Sequence, residues 1–294
     1  MFKRLPLLCA ALLALAACSH DNNGNTTQPA APAPAASATT TATTPAPAAS
    51  GPASATTAAA AASSAAAAPT SSNSAAAAPA APATPFVDNG KWVEGKNYFL
   101  IDPAQPTSHP GKIEVTEVFS WGCPACNAFH TTADQIAQSL PAGAVMNYLP
   151  AAFRPDENWP VYQRAFYAAQ AMGVADKSYD AMFDATWKTG ETATYNLKGT
   201  GLKPKEAWPT IDDIAKFYAS KFGADPKEFV GIANSFTVNT KMKQADDLIK
   251  AYGVTGTPTM VINGKYRYDA TSAGGYAQSV ELAQWLVAKI QAGK

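Results

Sequence analysis

Two cysteines stand three positions apart in Cys123-Pro124-Ala125-Cys126. A thiol acts as nucleophile, leaving group or metal ligand through its thiolate, so the chemistry depends on what surrounds the sulfur. Upstream, residues 112–120 alternate and are rich in β-branched and aromatic side chains, which predicts a strand. Downstream, Phe129, Ala133, Ile136 and Leu140 recur at helical spacing until Pro141 and Gly143 end the stripe. The pair therefore falls where a strand turns into a helix, with Cys123 at the helix start. Unpaired N–H groups and the positive end of the helix dipole favour a thiolate there. A thiol so placed can fall from about 8.5 into the range of roughly 3.5–7.5. Cys126, one helical turn on, is expected to be less exposed and to act as the partner sulfur. A bond across so short a loop constrains the unfolded chain very little, so the pair reads as a redox or metal centre rather than a staple. A closed zinc site needs four Cys or His ligands. Outside the N-terminal segment only His109 and His130 are at hand, with no second Cys-x-x-Cys, so the redox reading leads and no metal is expected.

The elements that position this pair occupy only part of the 294 residues. Lys3, Arg4 and Asp21 are the only charged side chains before Asp88. The chain carries 22 basic and 22 acidic residues, a balance that argues against a basic nucleic-acid binder. Residues 1–17 combine a positive start with an apolar run too short to span a bilayer, the pattern of a bacterial secretory signal. Leu15-Ala16-Ala17-Cys18 resembles the lipobox of bacterial lipoproteins. The resemblance implies that Cys18 is acylated and becomes the first mature residue. Ser19 after it, in place of Asp, favours the outer membrane over the inner. The rival reading is ordinary cleavage near Ala17 with Cys18 incidental. Residues 18–85 are mainly Ala, Pro, Ser and Thr, with recurrent prolines, no apolar stripe and almost no charge; they read as a disordered tether.

Residues 86–294 carry the folding signals. A strand is expected at 144–149, and a hairpin at 259–262 and 265–268 around Asn263-Gly264, a type I′ turn. A final helix shows Val280, Ala283, Leu286, Val287 and Ile290 on one face. Between 144–149 and the hairpin, helical stripes recur: Tyr162 to Met172, Tyr179 to Trp187, Ile211 to Tyr218 and Met242 to Tyr252. Asp225-Pro226-Lys227-Glu228 offers an N-cap, a proline at the first helical position and a reciprocal cap. The helical stretch spans about 156–250.

Phe119-Ser120-Trp121-Gly122-Cys123-Pro124-Ala125-Cys126 resembles the active-site segment of DsbA-type thiol–disulfide oxidoreductases of the thioredoxin superfamily. Gly253-Val254-Thr255-Gly256-Thr257-Pro258-Thr259-Met260 resembles the loop that carries the superfamily's cis-proline. The resemblance implies an α/β thioredoxin fold with an inserted helical domain, and a Pro258 that lies beside the cysteines. It implies that the backbone of Thr257 pairs with an extended substrate, with Trp121 and Pro124 as neighbouring contacts. Phe119, Trp159 and Met260 are either part of the same apolar groove or core. Cys123 would be the nucleophile and leaving group and Cys126 its internal partner. Glu117, six residues before Cys123, would be a buried acid that passes a proton to or from Cys126; otherwise it is a glutamate at a strand edge facing water. Glu114 would point to the opposite face. Ala125 stands where the family commonly has histidine, so thiolate stabilisation is left to the helix terminus; His130, two turns on, is too distant to replace it. The implied function is introduction of disulfides into unfolded, cysteine-containing envelope proteins in the periplasm, with reoxidation by a quinone-linked inner-membrane protein of the DsbB kind. The membrane is engaged through the lipid anchor, and neither nucleic acid, flavin nor nicotinamide is expected. Two alternatives remain, a reductase or isomerase on the same fold and a tethered chaperone with incidental cysteines.

Overall fold

Strand β2 (Ile113–Phe119) has six buried residues out of seven, a pattern that requires cover on both of its faces. A computed structural model describes residues 86–294. The expected signal peptide (1–17), tether (18–85) and Cys18 lie outside the described residues. Around β2 the sheet adds β1 (Phe99–Leu100), β3 (Ala144–Pro150), β4 (Thr259–Ile262) and β5 (Tyr266–Tyr268), in the order β1-β5-β4-β2-β3. β3 runs parallel to β2, with Glu117 opposite Tyr148; β4 runs antiparallel on the other side, with Glu117 opposite Met260. The parallel step needs a crossover, which is helix α1 (Pro124–Ser139).

On one face, α1 packs against the last helix, α8 (Tyr276–Gln291), which follows the single turn α7 (Ala270–Ala273). Val115, Met260 and Ile262 from the sheet meet Phe129, Ala133 and Ile136 of α1 and Leu282 and Leu286 of α8 there. The other core belongs to the helices between β3 and β4. These are α2 (Trp159–Ala171), α3 (Ala175–Trp187), α4 (Ile211–Phe222), α5 (Pro226–Ala233) and α6 (Phe236–Ala251). Phe119 sits at the centre of this second core, edge-on to Trp121, Phe166 and Tyr179 at centroid distances of 5.7, 5.6 and 5.1 Å. Each such ring contributes roughly 1.5–3 kcal/mol by burial, and aromatic edges add roughly 0.5–1.5 kcal/mol per pair. The fold is thus a thioredoxin sheet with a helical insertion, as the resemblance implied.

Local signals act as expected in most places. Asp225 caps α5, its Oδ1 accepting from the Glu228 N–H at 2.8 Å, with Pro226 in the first turn. The reciprocal bond from Glu228 is not formed; full capping boxes occur at Thr210 and Asp213, at the start of α4, and at Asp269 and Ser272, at the start of α7. Glu114 does lie on the face of β2 opposite Glu117, but it is buried rather than solvated. It accepts from the Ser108 N–H and Thr116 hydroxyl at 2.9 Å each and lies 2.6 Å from His109 Nδ1. Asn263 and Gly264 both have positive φ, 53° and 63°, as a type I′ turn requires. The turn is pinned from outside, with Gln105 N–H donating to Gly264 O at 2.9 Å.

Gly264 is therefore constrained twice. A Cβ there would stand 2.1 Å from Gln105 O, on a backbone at φ +63°. Gly111 has φ +78° but open space around it. Gly264→Ala should cost clearly more in urea unfolding than Gly111→Ala, which pays only the left-handed term of roughly 1–2 kcal/mol. Equal losses would show that the 105 segment yields freely.

Candidate active site

Cys123 is the N-cap of α1, with extended backbone at φ −90°, ψ 118°, and Pro124 occupies the first turn. An N-cap normally offers a side-chain oxygen to the free N–H groups of the first turn. Here the sulfur takes that role, and Cys123 Sγ accepts from the Cys126 N–H at 3.4 Å. Both cysteines are free thiols, Cys123 5% exposed and Cys126 fully buried, so the first is the sulfur that a partner can reach. The Cys123 thiol is drawn down to about 6, chiefly by hydrogen bonding to the Cys126 thiol, then by Thr257 and the Cys126 and Ala125 N–H groups, against the cost of burial. Burial, followed by the neighbouring Cys123 and the Glu117 charge, pushes Cys126 well above the ordinary thiol range. Two chemically identical groups one turn apart are thereby split into a ready thiolate and a reluctant one.

The second half of the site comes from the loop before β4. The Thr257–Pro258 peptide is cis, and both residues are half-buried. Cys123 Sγ donates to Thr257 O at 3.5 Å, so in the dithiol state this carbonyl is engaged by the enzyme's own sulfur. The Thr257 hydroxyl is buried and favours the thiolate of Cys123. Pro124 and Ala125 are exposed at the rim. Beside them opens a pocket of 310 Å³ between Ala125, the 254–259 loop and Arg267, Asp269 and Tyr276.

Glu117 is fully buried, on the β2 face shared with Val115, and the strand-edge alternative is excluded. Burial raises its carboxyl to about 8, opposed in part by the Tyr179 hydroxyl, which donates to Oε2 at 2.5 Å. Its other oxygen, Oε1, has no partner. Tyr179 was legible in the sequence only as part of a helical core stripe, and its hydroxyl is the component that sequence reasoning missed. Arg267 and Tyr276 of the pocket were missed as well, since neither carries a motif.

Trp121 requires a correction. It was expected to contact substrate beside the cysteines, but it is 1% exposed. Its indole N–H donates to Tyr179 O at 3.1 Å and its own carbonyl accepts from Trp187 Nε1 at 2.8 Å. Nearness in sequence did not give direction: the side chain turns inward and ties the active-site turn to α3. Phe119, Trp159 and Met260 are likewise core. His130 stacks on Phe183 at 5.1 Å with Nδ1 2.5 Å from Asn127 O, facing α3.

The chain is similar to known proteins. The profile of the DSBA-like thioredoxin domain matches residues 205–281. The thiol:disulfide interchange protein DsbA of Pseudomonas aeruginosa is 38% identical over 201 residues, covering 68% of this chain and 87% of that protein. The chain belongs to the DsbA family. DsbA of Pseudomonas syringae pathovar tomato is 36% identical over 198 residues, 67% of this chain and 84% of that one. The crystal structure of Pseudomonas aeruginosa DsbA superposes with a TM-score of 0.59 at 38% identity, over 70% of this chain and 97% of that one. The Xylella fastidiosa oxidoreductase DsbA gives 0.59 at 28% identity, over 68% and 98%. The described residues contain no helix long and apolar enough to cross a membrane.

The raised Glu117 carboxyl carries a sign for stability. The folded state holds a proton that the unfolded chain releases between pH 4.5 and about 8, so this group lowers stability as pH rises through that window. Glu117→Gln abolishes the titration. In urea unfolding, the variant should gain on the parent from pH 4.5 upward, by roughly 3 kcal/mol at pH 7. A difference that does not change with pH would mean that Glu117 titrates normally.

Proposed function

We propose that this thiol:disulfide oxidoreductase works as a dithiol oxidase through Cys123 and Cys126. The observation that carries the reading is the placement of the two sulfurs, Cys123 at the N-cap of α1 accepting from the first turn and Cys126 fully buried one turn on. Beginning from the disulfide form, a substrate thiolate attacks Cys123 Sγ; the Cys123–Cys126 bond breaks and Cys126 departs with the electron pair. Glu117, protonated at neutral pH, supplies the proton that the buried Cys126 sulfur needs. The substrate's second thiolate then attacks the substrate sulfur bound to Cys123. Cys123 leaves as a stabilised thiolate, and the substrate carries away a disulfide while the enzyme keeps two electrons. Thr257 and Pro258 line the pocket in which the substrate chain lies, with Pro124 exposed next to Cys123, the Thr257 backbone becoming available once the Cys123 sulfur is bonded elsewhere.

A low thiol on Cys123 stabilises the reduced enzyme and so makes the disulfide oxidising. Ala125 limits this, and a reductase reading draws its support from the same alanine. A Cys123 thiol near 6 lies between the established figures of about 7 for thioredoxin and about 3.5 for DsbA. The reduction potential against glutathione should accordingly fall between the established values of about −270 mV and about −120 mV for those two proteins. Ala125→His should move it toward the oxidising end. A parent value at or below the thioredoxin figure would establish the reductase.

The partners in this reading are unfolded proteins with cysteines, and a DsbB-like quinone-linked membrane protein that reoxidises the pair. We further place the domain of residues 86–294 in the periplasm, held by an acylated Cys18 behind a cleaved 1–17 signal and the 18–85 tether. Support comes from the residues around Cys18 and the nearly charge-free composition after it. Labelled palmitate fed to producing cells should enter the parent and not Cys18→Ser; equal labelling would refute the anchor.

A further inference from the structure

Glu117 and Tyr179 meet across the boundary between the sheet and the helical insertion. Tyr179 reaches from α3 and is itself fully caged. Its ring stacks on Tyr148 at 4.2 Å and meets Phe119 and Phe183 edge-on at 5.1 and 5.3 Å. Its carbonyl accepts from the Trp121 indole, which lies two residues before Cys123. The hydroxyl therefore has a fixed address, and it uses that address to donate to Glu117 Oε2 at 2.5 Å. Oε1 is left buried with no partner. A carboxyl bound at one oxygen and bare at the other has one place to gain or lose a proton.

We propose that Tyr179 is a positioning residue of the exchange reaction, through which the helical insertion holds the Glu117 carboxyl with Oε2 occupied and Oε1 free to trade a proton with Cys126. This rests on the reading of Glu117 as proton partner of Cys126. When the Cys123–Cys126 bond breaks, Cys126 takes the electron pair and the proton from Oε1, and Glu117 becomes a carboxylate. The Tyr179 hydrogen bond is then charge-assisted and at its strongest, so it favours the ionised acid. On reoxidation the proton returns from Cys126 Sγ to Oε1 as the new disulfide forms. Tyr179 acts only through Glu117, because burial and the Glu117 charge hold its own phenol far above the range in which it could ionise. The other groups that face Glu117 are Tyr148 from β3, Asp134 and the two cysteines from α1, Asp180 from α3 and Tyr268 from β5. His130 acts on Asp134 behind them. Among these, Tyr179 makes the hydrogen bond to the carboxyl.

The test uses the full chain with Cys9→Ser and Cys18→Ser, so that only the active pair reacts. The reduced protein is mixed with oxidised glutathione, and the second step, displacement of glutathione from Cys123 by Cys126, is followed by acid quench and mass analysis across pH. The parent should show an inflection near 8, which Glu117→Gln removes. Tyr179→Phe, which keeps the ring, should move that inflection upward by roughly one to two pH units. 3-Fluorotyrosine at position 179, a stronger donor, should move it downward. A merely structural tyrosine cannot give opposite shifts from two near-isosteric rings. An inflection lost in Glu117→Gln but unmoved by both changes at 179 overturns the role of Tyr179 and leaves that of Glu117 standing. A Glu117→Gln profile identical to the parent overturns Glu117 as the proton partner, and the proposal falls with it. Should Tyr179→Phe not fold, the fluorinated chain decides alone, by shifting downward or not.

Discussion

The first turn of an α-helix presents N–H groups that have no partner inside the helix, and something outside must accept from them. In this protein a sulfur does so. Once Cys123 is committed to capping α1, its charge state is tied to the integrity of the helix, and the helix is tied in turn to β2, which delivers the chain at the required angle. The loop before β4 must then arrive on the far side of the sulfur, because the hydrogen bond from Cys123 to Thr257 O leaves little room for another approach. The order of strands in the sheet, with β4 beside β2, satisfies that demand.

Two glutamates on one strand show how the surroundings decide what a buried acid is for. Glu114 and Glu117 are both removed from water. Glu114 is met by a backbone N–H, a hydroxyl, an amide and an imidazole, a set that suits a carboxylate and fixes the 108–109 segment to the sheet. Glu117 is met by one hydroxyl. The first is an anchor with nothing left to offer; the second is under-satisfied and so remains responsive to its neighbours. Buried polar groups are ordinarily hydrogen-bonded, and an exception beside a reactive pair has a chemical reason.

Much of this was legible in the residues themselves. The strand-to-helix position of the cysteines followed from alternation before them and a helical stripe after them, and the Asn263-Gly264 turn followed from its dipeptide. β1 and α7 left no trace, since two and four residues are too few to show a period. Glu117 could be located by resemblance, whereas its burial could not be had from alternation, because β2 is covered on both faces and alternation loses its meaning there. Tyr179 was out of reach for a different reason. Its ring fits the core stripe with Met182 and Phe183, and only tertiary packing across 62 positions brings its hydroxyl to an acid. Trp121 was misread because adjacency along the chain at a tight turn says nothing about the direction of a side chain.

The sheet ends on one side in β1, a strand of only two residues. A long bare edge recruits loose strands by backbone pairing regardless of sequence. A two-residue edge gives such a chain too little to hold. On this side of the sheet an extended chain finds little backbone to join, so a stunted strand serves as a blunt border to the fold.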